Sequence, residues 1–170
     1  MGIRLRRYDT RDSQREAAEV VPGVMALLGR LFRKSGSPPR EHPLFGTLRY
    51  SKHDGWENED FSLWDFKGIQ LLIDAGTDGP SPRQEEAFRR FEAGRGELLP
   101  RCLRALDSVR ESFEVPEGEF RVTGLSIPSL GPGRGGDLWT LWFDLEGDDH
   151  FMYGVQSDND WETLAAFADD

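Results

Sequence analysis

The chain has 170 residues, of which 37% are hydrophobic, 31% charged and 11% aromatic. That length suits one domain with material for a sizeable core, and the aromatic content excludes disorder over most of it. The net charge of −10 is unevenly placed: residues 1–40 hold nine Lys/Arg against four Asp/Glu, whereas Asp144 to Asp170 holds nine acids and no Lys or Arg, a field that repels nucleic-acid phosphates and attracts basic surfaces.

The N-terminus, MGIRLRRYDT, is basic but has no apolar run behind it, and Val20 to Leu28 contains Pro22 and Gly23. Neither a secretory signal nor a membrane span of about 20 apolar residues is expected, and the sixth position lacks the Ser or Thr of a myristoylation signal. Cys102 is the only cysteine, so no intrachain disulfide forms and nothing points to an oxidising compartment. The expected location is the cytoplasm, with no membrane partner.

Ser13 and Glu16 have the spacing of a capping box, so a helix is expected there, interrupted at Pro22. Val24, Leu27, Leu28 and Leu31 continue at helical spacing, and Gly36 is a natural stop. Residues 1–36 therefore read as an N-terminal helical arm. Residues 37–43, rich in proline, read as a linker, and residues 44–170 as an α+β domain. Within that domain Leu44–Ser51, Asp60–Phe66 and Ile69–Asp74 read as a three-stranded meander, with a turn at Asp54-Gly55. In Asp60–Phe66, Phe61 and Leu63 alternate with Trp64 and Phe66, the pattern of a strand buried on both faces.

Ser81 and Pro82 suit the cap and first position of a helix carrying Ala87, Phe88 and Phe91. Gly94 and Gly96 should break it. A second helix follows with Leu99, Cys102, Leu103, Leu106, Val109 and Phe113, Pro100 being tolerable only in its first turn. Cys102 on that stripe is expected to be a small buried hydrophobe. Glu119–Ile127, Leu138–Glu146 and a segment through Phe151, Tyr153 and Val155 read as a second meander, with a helical turn expected over WETLAAF. The prediction is α+β: an antiparallel sheet of about five or six strands (two meanders) with helices packed on one face, plus the N-terminal helical arm. No βαβ alternation is evident.

Few residue patterns carry chemistry. GPGRGG (131–136) has no Gly-Lys-Ser/Thr and precedes a strand, so it reads as a flexible hairpin loop rather than a phosphate cradle. Asp65-Phe66-Lys67 fits the acidic-x-Lys element of metal-dependent nucleases but needs a second acid at a neighbouring strand end. Asp158-Asn159-Asp160 alternates like a calcium loop yet lacks the loop glycine and distal glutamate. His42, His53 and His150 lack metal-ligand spacing, and Ser129 is not in a nucleophile elbow. No catalytic residue, metal site or cofactor is assigned. Trp142 stands apart: alternation sets Trp139, Leu141, Phe143 and Leu145 on one face and Trp142 on the other, with Thr140, Asp144 and Glu146. There it is either core beneath further helices or an aromatic anchor with an acidic rim.

The segments HPLFGTLRY, SLWDF, IQLLIDAG and PRQEEAFRRFEAG, closing with LWTLWFDLEGDDHFMYGV, resemble a family of uncharacterised bacterial domains of the toxin–immunity type over about residues 42–157. The N-terminal arm and the GPGRGGD segment depart from that pattern. The resemblance implies a binding role and brings no catalytic residues with it. Together with the charge it sets the functional expectation: a non-catalytic cytoplasmic immunity protein that neutralises a basic toxin or effector, binding no nucleic acid. Its expected contact set is Trp142, Asp144, Asp148, Asp149, Asp158, Asp160 and Glu162. The competing expectations are an enzyme of unknown type, such as a hydrolase with or without a metal, whose site assembles only in three dimensions, and an accessory domain that acts through residues 1–36.

Overall fold

The computed structural model describes residues 37–113, 117–130 and 138–169. The predicted arm and the GPGRGGD loop lie outside the described residues. The rest forms one eight-stranded sheet with two helices: β1 (Arg40–His42), β2 (Gly46–Ser51), β3 (Gly55–Leu63), β4 (Phe66–Ile73), α1 (Pro82–Ala93), α2 (Arg95–Phe113), β5 (Phe120–Ile127), β6 (Trp139–Leu145), β7 (Met152–Ser157) and β8 (Leu164–Asp169). The strands lie in the sheet in chain order.

Two four-stranded antiparallel meanders are thus joined edge to edge. The joint is parallel, Gln70 to Ile73 pairing with Gly124 to Ile127. A parallel pair needs a long crossover, which the two helices supply. The expected five or six antiparallel strands are corrected to eight in a mixed sheet. The two additional strands, β1 and β8, are held by contacts with other parts of the chain. Arg40–His42, assigned to the linker by composition, is held in the sheet by Arg40, whose guanidinium sits over Trp56, 5.0 Å from the ring centroid, and donates to Asp78 O at 2.8 Å. The predicted strand Asp60–Phe66 is broken by a two-residue turn at Trp64-Asp65, with Leu63 opposite Phe66. The predicted helical turn over WETLAAF is instead β8, paired with β7 along its whole length.

Tight turns set the register of the first meander. Gly55 has φ +80°, and a Cβ there would lie 2.4 Å from Ile73 O, so a side chain is excluded on both counts. Ser81 caps α1 and Pro82 sits in its first turn, as expected, and Gln84 completes a reciprocal capping box with Ser81 that the sequence reading did not include. Gly94 separates the helices, but α2 starts at Arg95, so Pro100 falls inside the helix, beyond its first turn.

Both helices pack on one sheet face. Ala87, Phe88 and Phe91 of α1, with Leu98, Cys102, Leu106 and Val109 of α2, join Leu63, Leu71, Leu125, Leu141, Phe143 and Val155 in a single buried cluster. Burial pushes the Cys102 thiol up to about 12, so it is protonated and inert near neutrality. Among the described residues no helix is long and apolar enough to cross a membrane.

Candidate functional site

The sheet face away from the helices carries the residue that the sequence singled out. Gln70, Gly124, Trp142, Gly154 and Phe167 are consecutive register partners across five strands. Trp142 therefore lies between two glycines. A Cβ on Gly124 would approach Trp142 Cδ1 to 3.3 Å, and one on Gly154 would meet Phe167 Cζ at 2.3 Å. Strand glycines of this kind mark where a neighbouring side chain lies flat on the backbone. The Phe167 ring covers Gly154 and meets Trp142 edge-on, with centroids 5.5 Å apart and planes at 82°. Trp142 Nε1 donates to Ser126 Oγ at 3.0 Å. Among the described residues no helix packs on this face. Trp142 is half-buried there by Phe167, between the two alternatives that alternation allowed.

Gly154→Ala must move the Phe167 ring, and we expect a loss of about 1–3 kcal/mol. The Trp142 indole N–H resonance, assigned from its absence in Trp142→Phe, should shift with it. An unmoved resonance at unchanged stability would show that Phe167 does not rest on Gly154.

The expected acidic contacts are distributed over three places. Asp144 shares the open face with Trp142, opposite Arg121 on β5 and 3.4 Å from the Thr123 hydroxyl that donates to it. Asp148 and Asp149 lie in the β6–β7 turn. Asp158, Asp160 and Glu162 lie in the β7–β8 loop, at the other end of β7, about 20 Å away for a six-residue strand. Asp148 has a structural duty: it accepts from the His150 and Phe151 N–H groups and from the hydroxyl of the buried Tyr153. The Tyr153 hydroxyl, followed by the His150 N–H, holds the Asp148 carboxyl below the usual range. Burial and that carboxylate together push the tyrosine's own pKa up. Asp149, Asp158, Asp160 and Glu162 are exposed.

Aromatic residues cluster on the opposite face, at the end of α1. The Phe91 ring lies 5.1 Å from Trp64, 5.6 Å from Trp139 and 4.9 Å from Trp161. Trp64 and Trp161 both have φ +56°, the only non-glycine residues so placed among those described. Bulky side chains adopt this region at a cost, so each turn is strained in a way that brings an indole onto the same ring. Trp64 Nε1 donates to Glu92 O at 3.1 Å and Trp139 Nε1 to Asn159 Oδ1 at 2.7 Å, whereas Trp161 Nε1 is buried without a partner. A cavity of about 200 Å³ adjoins this cluster at the α1–α2 junction. Arg90 and Arg101 on its wall are offset by Glu97 and Asp160, so its charge selects neither anion nor cation.

The remaining motif residues are separated or engaged. Asp65 is ion-paired with Arg95, which lowers its pKa mainly through that hydrogen bond. His42 Nδ1 accepts from Leu44 N at 3.2 Å, its ring stacks on Phe45, and its Nε2 lies 3.6 Å from Glu85. Among the described residues no three His, Cys, Asp or Glu side chains converge as metal ligands. Sequence reasoning missed Phe167 because WETLAAF reads as a helical turn; the signal that could have found it is the pair of strand glycines, Gly124 and Gly154. Comparison of the chain with protein-family models, curated proteins and solved structures gives no match.

Proposed function

We propose that this chain is a non-catalytic protein-binding domain of the immunity type, acting in the cytoplasm on a basic toxin or effector. The observation that carries the reading is the charge of the segment 144–170: nine acids and no Lys or Arg, with Asp158, Asp160 and Glu162 exposed together on one loop. Such a field accelerates encounter with a cationic partner and disfavours phosphate backbones. The half-buried Trp142–Phe167 pair on the face away from the two helices supplies aromatic surface of the kind that concentrates binding energy. Asp148 leaves the contact set, because its carboxylate is committed to Tyr153 and the turn.

The test uses the product of the gene adjacent to its own. Co-expression should relieve any growth arrest that this product causes, and the purified pair should associate faster at low salt. Reversing Asp158, Asp160 and Glu162 together to lysine should slow association by about tenfold or more and flatten its salt dependence. Growth arrest that persists with the chain present, or association that ignores both the reversals and salt, overturns the reading.

A further inference from the structure

The two edges of the sheet are unequally protected. An edge strand presents unpaired N–H and C=O groups on alternate residues, and natural proteins blunt such edges with short strands, charges or proline. The β1 edge is blunted in this way. It is three residues long, Arg40-Glu41-His42, and follows Pro38-Pro39. The β8 edge is not. Its six residues, Leu-Ala-Ala-Phe-Ala-Asp, pair with β7 on one side, and among the described residues nothing pairs with the other. None is Lys, Arg or Pro, and none is fully buried.

Resting on the binding role above, we propose that β8 is the docking edge, where an extended basic segment of the partner adds as a ninth strand. Backbone pairing along β8 would supply affinity, and alternate side chains of the incoming strand would lie beside Phe167 on the open face. Charge decides the occupant. Glu162 precedes β8, Asp169 ends it, and no Lys or Arg follows Arg134 in the sequence. A second copy of this chain, itself at net charge −10, would set acid against acid along a β8–β8 pair, whereas an arginine- or lysine-bearing strand would neutralise both ends.

The probe is a hexapeptide of alternating arginine and valine, titrated into the full-length chain labelled with ¹⁵N. Chemical-shift changes should concentrate on residues 164–169, with the amides of β1 unmoved. The same peptide N-methylated at alternate residues should fail to bind, as should a glutamate–valine counterpart. Ala165 is exposed on the open face, so Ala165→Lys and Ala165→Glu place opposite charges at one site with similar bulk. Lysine should weaken binding by roughly tenfold and glutamate should not. Shifts confined to the loops, equal binding of the acidic or N-methylated peptide, no peptide binding at all, or a β8-paired dimer that the peptide does not displace would each overturn the edge assignment. If the adjacent gene product is nonetheless neutralised with the expected salt dependence, the binding role stands without it; persistent growth arrest removes that role instead.

Discussion

Replacing Phe91 by alanine should cost about 3–5 kcal/mol of unfolding free energy, the range for truncating a fully packed phenylalanine. The site warrants that range because Phe91 is 3% exposed and its ring meets three indoles and Phe88. Two of those indoles, Trp64 and Trp161, belong to residues with positive φ. Each strained turn is maintained by what its side chain gains at Phe91, so removing the ring leaves a cavity and two turns without compensation. Urea unfolding followed by tryptophan fluorescence measures both consequences. The midpoint should fall and the native emission should shift to the red as the indoles gain water. Phe91→Leu, which retains most of the volume, should lose much less. A loss below about 1 kcal/mol for the alanine variant would mean that the cluster carries little of the stability.

Gln84→Leu should cost about 2–4 kcal/mol, although leucine has similar volume and suits a helix. Gln84 is 2% exposed. Its Oε1 accepts from Ser81 N at 2.8 Å, and its Nε2 donates to Asp74 O at 3.0 Å and Pro128 O at 2.9 Å. One amide therefore completes the α1 cap and joins the ends of β4 and β5, where the two meanders meet in parallel. Leucine leaves backbone groups without that partner, and an unsatisfied buried polar group costs about 1–3 kcal/mol. Hydrogen exchange should show faster exchange at the α1 N-terminus and beside the β4–β5 joint before the outer strands respond. Gln84→Glu at neutral pH should be worse than leucine, because it removes the donors and adds a buried charge. A leucine variant as stable as the parent would show that water replaces the amide without cost.

At the acidic surface the fold narrows what the sequence offered. Seven residues formed one expected contact set. Strand β7 separates two groups of them by its own length, Asp148 is committed to Tyr153, and Asp144 faces Arg121 across the sheet. Asp158, Asp160 and Glu162 remain as one exposed group, next to the edge strand β8. Linear proximity counts acids, whereas the sheet determines which of them share a surface.

Local chemistry was readable residue by residue. Ser81 and Pro82 specify a helix start because cap geometry is set within a few residues. Cys102, Leu106 and Val109 specify a buried stripe because helical periodicity spans one turn. The alternation from Trp139 to Leu145 specifies a strand with Trp142 on the far face. What depended on partners distant in the chain was not readable. The alanines of β8 favour helix by intrinsic propensity, and pairing with β7 overrides that preference. Trp64 alternates like a strand residue, yet a turn swings its indole onto Phe91, twenty-seven positions along the chain. The parallel joint of β4 with β5 and the cover of Phe167 over Gly154 are decided by contacts between residues 54 and 13 positions apart, for which periodicity and composition carry no term.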